Sequence, residues 1–282
     1  MAVTQYWDGS AADNAYVTPA NWSLMGGGAG AKPLSTDSQV FPAMAASSTK
    51  DLAGSDQSLV LIVETVIEHG CYLNFGSYLV PWILDTDYLV YRGLASAFFD
   101  VRNSTEIRIE ESAPAASGNA YGVYLKGNGT NALLIIDCGN GNSVGVASLG
   151  DHTMTATAVE IASGTVDLGD GLACTTLTVS GGAVESKADI TTVTVTAGTM
   201  RQLKNNPTTL NAHGGRFYYS SESAPTTLNL YPGGVIDMSE DTRAKDWSAV
   251  AINDYGGQIY DPGLVLGTLT LTRKRGGTVR GS

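Results

Sequence analysis

Thr175-Thr176-Leu177-Thr178-Val179, Thr191-Thr192-Val193-Thr194-Val195, Thr208-Thr209-Leu210-Asn211-Ala212 and Thr226-Thr227-Leu228-Asn229-Leu230 are four versions of one phrase. They start 16, 17 and 18 residues apart. Each is followed by a glycine, at Gly181, Gly198, Gly214 and Gly233, and then by a second short run such as Ala183-Val184-Glu185 or Phe217-Tyr218-Tyr219. Residues 159 to 168, around Gly164, follow the same plan. Alternation along an extended chain sends Leu177 and Val179 to one face and Thr178 to the other. A unit of this length holds two or three short strands and their turns, and cannot bury its apolar face alone. Stacked at about 4.8 Å, successive units pair every strand above and below and merge their apolar faces into one core. Glycine belongs where the chain turns with unusual dihedrals, and threonine above threonine at one corner suits a hydrogen-bonded ladder.

The pattern predicts an all-β chain, a right-handed parallel β-helix (solenoid), with the hand taken from the general crossover rule. A β-sandwich does not keep turn residues in one register, and propeller blades need about 40 residues each.

Outward from the repeat, residues 56 to 150 contain Leu59-Val60-Leu61-Ile62-Val63, Tyr88-Leu89-Val90-Tyr91, Ile107-Arg108-Ile109, Val123-Tyr124-Leu125 and Leu133-Leu134-Ile135-Ile136. Bounded by Gly, Asn, Asp or Ser, they read as strands. Residues 1–55, rich in Gly, Ala, Ser and Pro, read as a capping and anchoring segment whose Trp7 and Trp22 pack on the end of the next element. A stack needs such a cap against exposed core and strand edges. This divides the chain into a cap at 1–55, a β-helix at 56–262 and a terminal strand with a basic tail at 263–282. The run Val265-Leu266-Gly267-Thr268-Leu269-Thr270-Leu271 is the expected final strand.

Composition agrees with this reading. Of 282 residues 43% are hydrophobic and only 15% charged, and 34 are glycine; a helical protein carries more charge and less glycine. The net charge is −11, yet the last ten residues hold Arg273, Lys274, Arg275 and Arg280 and no acid. That leaves 12 basic against 27 acidic residues in the body, a net of −15. Such a body repels phosphate backbones, which argues against nucleic acid. The tail suits an acidic neighbour, or is a solvated terminus. Cys71, Cys138 and Cys174 are far apart and read as buried small hydrophobes, not a disulfide framework. The opening residues show no secretion signal and no run reaches membrane-spanning length, so a soluble chain made in a cytoplasm is expected.

The residues hold no convincing catalytic machinery. His69, His152 and His213 lack metal-ligand spacing, and no nucleophile-elbow, zinc-protease or phosphate-loop motif is present. No cofactor and no metal site are expected. A β-helix glycosidase needs paired carboxylates on one exposed face. Asp85 and Asp87 are the best such pair, Glu110 and Glu111 point opposite ways, and Asp167 and Asp170 are placed at a turn.

Trp7-Asp8-Gly9, Asn21-Trp22-Ser23, Pro33 and Thr36-Asp37-Ser38-Gln39-Val40-Phe41 together resemble the opening of tailed-bacteriophage β-helix virion proteins. Two later stretches, from Leu230-Tyr231-Pro232-Gly233-Gly234 and from Tyr255-Gly256-Gly257-Gln258, are similar to closing coils of such chains. The resemblance implies a capsid decoration or cement protein, trimeric, bound to the major capsid protein at the capsid surface and to copies of itself, with no membrane and no catalytic residues carried over. Trp7, Trp22, Arg273, Lys274, Arg275 and Arg280 are the candidate partner-binding residues. The alternative is a tail-associated carbohydrate binder or depolymerase, which a groove of exposed tyrosines (Tyr218, Tyr219, Tyr231, Tyr255) beside paired acids would favour.

Overall fold

The repeated phrases become strands at matching heights in the computed structural model, which describes residues 3–7, 22–24, 28–29, 37–42, 51–52, 62–68, 71, 74–75, 81–111, 120–139, 142–221, 223–263, 265–266, 269, 271–273 and 278–280. These residues form strands and turns and contain no helix. The strands fall into one sheet of 15 and one of 13. From Thr130 onward, consecutive strands alternate between the two sheets. Every neighbouring pair is parallel except at the N-terminal end of the larger sheet, where Trp22–Leu24 runs antiparallel to both Thr4–Trp7 and Gly28–Ala29.

Register turns the sequence repeat into vertical columns. In the larger sheet Val159, Leu177, Val193, Leu210, Leu228 and Ile252 are direct partners from strand to strand, and all six are buried. Ile161, Val179, Val195, Ala212 and Leu230 form a second inward column. The smaller sheet supplies Val144, Val166, Val184, Met200, Phe217 and Ile236. One hydrophobic cluster joins them all. Each fully buried side chain of this size is worth about 1.5–3 kcal/mol.

Thr176, Thr192, Thr209 and Thr227 do stack in register. The hydrogen-bonded ladder lies two residues further on. Asn253 donates its Nδ2 to Oδ1 of Asn229 at 2.8 Å, Asn229 donates likewise to Asn211 at 2.7 Å, and Asn211 to Oγ1 of Thr194 at 3.2 Å. At the corners, Gly182 has φ of 73°, a left-handed value that favours glycine. Its neighbour Gly181 is needed for room, since a Cβ there would lie 2.1 Å from the carbonyl oxygen of Ala162.

Pairing crosses both domain boundaries expected from sequence. Ser38–Phe41 already bonds Ile62–Ile67 in parallel, and Leu271–Arg273 and Thr278–Arg280 extend the two sheets past residue 262. Backbone pairing needs no Thr/Gly phrase, so it continues where the phrase stops. The Asp261 carboxylate accepts the N–H groups of both Val265 and Leu266 at 2.9 Å, and Leu266 makes an isolated parallel bridge to Lys245; the described strand there begins at Leu271. The run at 59 to 63 falls largely outside the described residues.

Candidate functional site

One outward column of the smaller sheet collects polar and aromatic side chains. Tyr124, Gly145, Asp167, Glu185, Arg201, Tyr218, Asp237 and Tyr260 are successive partners across eight strands. Along this column lies an open groove of about 470 Å³, lined in part by Tyr121, Asp167, Glu185, Arg201 and Tyr218. That volume falls within the usual range for ligand sites. Beside the polar column the groove is lined by Ser143, Thr165, Ala183 and Thr199, one from each of four successive strands. Small side chains there leave the sheet surface concave.

Tyr121 closes one end. Its ring lies over Gly145, where a Cβ would come within 2.7 Å of it. Its hydroxyl donates to Oδ2 of Asp167 and accepts from Oγ of Ser148. Burial, reinforced by the Asp167 hydrogen bond, pushes the phenol up to about 12, so it stays a donor at neutral pH. Oδ1 of Asp167 is closed off from solvent and has no hydrogen-bond partner among the described residues. At the other end stands Tyr218, with the guanidinium carbons of Arg201 and Arg216 each 5.7 Å from its ring centre. Arg201 is anchored to Glu240 at 2.6 Å and approaches Glu185 at 3.8 Å.

The acids that meet in space differ from those singled out in sequence. Asp167 is inside the strand Thr165–Leu168, not at a turn with Asp170. Register sets it beside Glu185, 18 positions on. Asp85 occupies the one-residue link between Trp82–Leu84 and Thr86–Tyr91, which belong to different sheets. Glu110 is engaged by Arg92 at 2.5 Å and Arg108 at 3.8 Å. Of the tyrosines, Tyr218 lines the groove, whereas Tyr219 is in the core with its hydroxyl on Asn206 and Ser223. Tyr231 and Tyr255 stack at 4.7 Å, with His213 stacked on Tyr231 at 3.8 Å.

The expected partner-binding residues are scattered. Trp7 and Trp22 meet edge to face at 5.2 Å and both pack on Phe41, which contacts Phe75. Their rings are buried in the end of the stack. Register places Arg273 opposite Asp254 and Arg280 opposite Tyr260, in the groove's own column. Lys274 and Arg275 lie outside the described residues, as does His69. A basic cluster that the sequence does not reveal lines a second groove, of about 560 Å³: Lys187, Lys204 and Arg243, with Lys204 on Asp170 at 3.0 Å and Arg243 on Asp241 at 2.8 Å.

His152 places Nδ1 3.0 Å from the Tyr124 hydroxyl, and burial and then Lys126 lower its pKa. The three cysteines are buried, and desolvation pushes the Cys174 thiol up to about 12. Among the described residues no three His, Cys, Asp or Glu side chains gather as a metal site, and no helix is long and apolar enough to cross a membrane. No family model, curated protein or solved structure matches the chain.

Proposed function

We propose that the chain is a right-handed parallel β-helix that serves as a structural component of a tailed-phage virion, a decoration or cement protein on the capsid surface. The observation that carries the architecture is the parallel register, which runs unbroken from Ser38–Phe41 to Leu271–Arg273 while strands alternate with those of the second sheet along most of the chain. A strand that returns to the same sheet by a crossover does so with a right-handed turn in about 98% of cases. The virion role rests on the sequence resemblance at the two ends. Such a stack suits that role because it presents a repeated, rigid surface, in which each level contacts its neighbours. On this reading the partners are the major capsid protein and two further copies of the chain, and attachment uses charge complementarity through the basic residues at the C-terminal end.

Electron microscopy of purified particles tests the role. Density for the chain at many copies over the head is the expected result; a few copies at the tail would overturn it. A second reading, a tail-associated carbohydrate binder, is favoured by one observation: the groove that brings Tyr121 and Tyr218 together with Asp167 and Glu185.

A further inference from the structure

We infer that the groove on the smaller sheet binds a linear neutral or amino-sugar oligosaccharide laid along the stack axis, across the strands rather than along them. The inference rests on the carbohydrate reading above and goes beyond it in naming the ligand's charge and its direction.

Direction follows from the shape. The lining residues come from five successive strands, Ser143–Val146 to Arg216–Tyr219, and four steps of about 4.8 Å give a trough of about 19 Å. The step between strands is close to the length of one pyranose ring in an extended chain. Each ring therefore meets a chemically new row: Ser143 with Gly145, Thr165 with Asp167, Ala183 with Glu185, Thr199 with Arg201. A tyrosine stands at each end of the trough, and aromatic faces take the C–H face of a sugar by the burial and quadrupole effects that govern aromatic contacts.

Charge follows from the polar column. Asp167 and Glu185 are adjacent acceptors in register. Oδ1 of Asp167 is closed off from solvent and Oδ2 is taken by Tyr121, so the acceptor within a ligand's reach is Glu185, whose side chain is 43% exposed. Arg201, the one cation among the described residues that line the groove, already faces Glu240 and Glu185. The groove therefore offers the Glu185 carboxylate to hydroxyl or ammonium donors, with the Asp167 carboxylate beneath its surface, on a chain of net charge −11. Uronate and sialate polymers, which bring their own carboxylates, are repelled. Phosphorylated ligands are excluded for the same reason.

Three hexasaccharides test this by isothermal titration of the intact chain: chitohexaose, which is neutral, the fully de-acetylated glucosamine hexamer, which is cationic, and a galacturonate hexamer, which is anionic. The first two bind, the glucosamine hexamer more tightly and with the stronger salt dependence, and the third does not. Glu185→Gln weakens the glucosamine hexamer about tenfold, and Tyr218→Ala weakens both binders by a similar factor. Silence of both binders at millimolar concentration, equal binding of the galacturonate hexamer, or unchanged titrations in the two variants would each overturn the inference. Hydroxyl-radical footprinting of the unaltered chain supplies a readout free of folding effects. Chitohexaose protects Tyr121 and Tyr218 and leaves the exposed Tyr88 and Tyr260 unprotected; the reverse pattern refutes the site. The two readings separate cleanly, because solution binding is independent of where the chain sits in a particle. A head-located chain with a silent groove overturns this inference and leaves the capsid reading standing, and a tail-located chain with a binding groove overturns the capsid reading alone.

Discussion

The middle of the stack and its two ends are built from different materials. At the levels between residues 154 and 230 the inward column is Val159, Leu177, Val193, Leu210 and Leu228. Followed toward the N terminus, the same column passes through Leu134, Ile107 and Leu89 and then becomes Thr65, Gln39 and Gln5. These three are buried, with the Gln39 amide on Thr65 at 2.7 Å and Thr65 on Thr86 at 3.2 Å. Around them Trp7, Trp22, Phe41, Phe75, Trp82, Tyr91 and Phe99 form a continuous chain of ring contacts. Toward the C terminus, Trp247 packs on Tyr219 at 5.1 Å, and the buried Lys245 bonds Asp241 at 2.8 Å. A middle level has a neighbour on both sides, so small aliphatic groups are enough to exclude water. Toward an end that cover runs out on one side, and large rings with specific polar bonds replace it.

The sharpest way to break this comparison is Val179→Asp. Burying an unpaired carboxylate costs several kcal/mol, a large part of the roughly 5–15 kcal/mol that holds a domain together. The cooperative urea transition seen by circular dichroism should disappear, and a soluble, fully folded V179D protein would show that the column faces water. Phe41→Ala should cost about 3–5 kcal/mol, but at one end. Hydrogen exchange should then show lost protection in the strands from Thr4–Trp7 to Ala97–Val101 and retained protection in those from Met154–Ser163 to Gln258–Tyr260, since a stack loses levels locally. Uniform loss across both regions would erase the distinction drawn here. Thr65→Val removes the acceptor of the Gln39 amide and should cost about 1–3 kcal/mol. Adding Gln39→Leu should recover most of it by replacing both partners with apolar groups, which a double-mutant cycle in urea will reveal.

The smallest expected effect is a pH dependence near the C-terminal end. The Asp241 carboxyl is held well below the usual range, first by hydrogen bonding to Arg243, then against the opposing effect of burial by Lys245. A depressed folded-state pKa means that its contribution is full above the unfolded value of about 3.9 and fades as pH falls below it. The urea midpoint should therefore drop more steeply below about pH 4 in the native chain than in Asp241→Asn. Parallel pH profiles in the two would remove Asp241 from the account.

Much of the middle was legible in the sequence, because each strand there repeats the same inside–outside alternation and each corner repeats a glycine. The ends were less legible. Gln39 and Thr65 are polar residues at positions where periodicity expects aliphatic ones, and hydrogen bonds to each other and on to Thr86 accompany their burial. The groove was legible in principle and was missed. Asp167, Glu185, Arg201 and Tyr218 are 18, 16 and 17 residues apart, the period of the repeat itself, and stacking the sequence at that period places them in one column. Reading acids as local pairs such as Asp85 with Asp87 conceals this, since parallel pairing brings together residues one full repeat apart. Tyr121 could not be found this way, because it arrives from outside the column and owes its place to the missing side chain at Gly145.

The asparagine ladder has a direction. Asn253, Asn229 and Asn211 each give their amide N–H to the level before, ending on the Thr194 hydroxyl. Loss of ammonia from Asn229, as happens slowly to ageing proteins, would replace a donor with an anion facing the carbonyl oxygen of Asn211. Attraction becomes repulsion at that rung, with nothing changed in the core. The sheet face thus carries a chemical lifetime of its own, set by the hydrolysis of three side-chain amides rather than by unfolding.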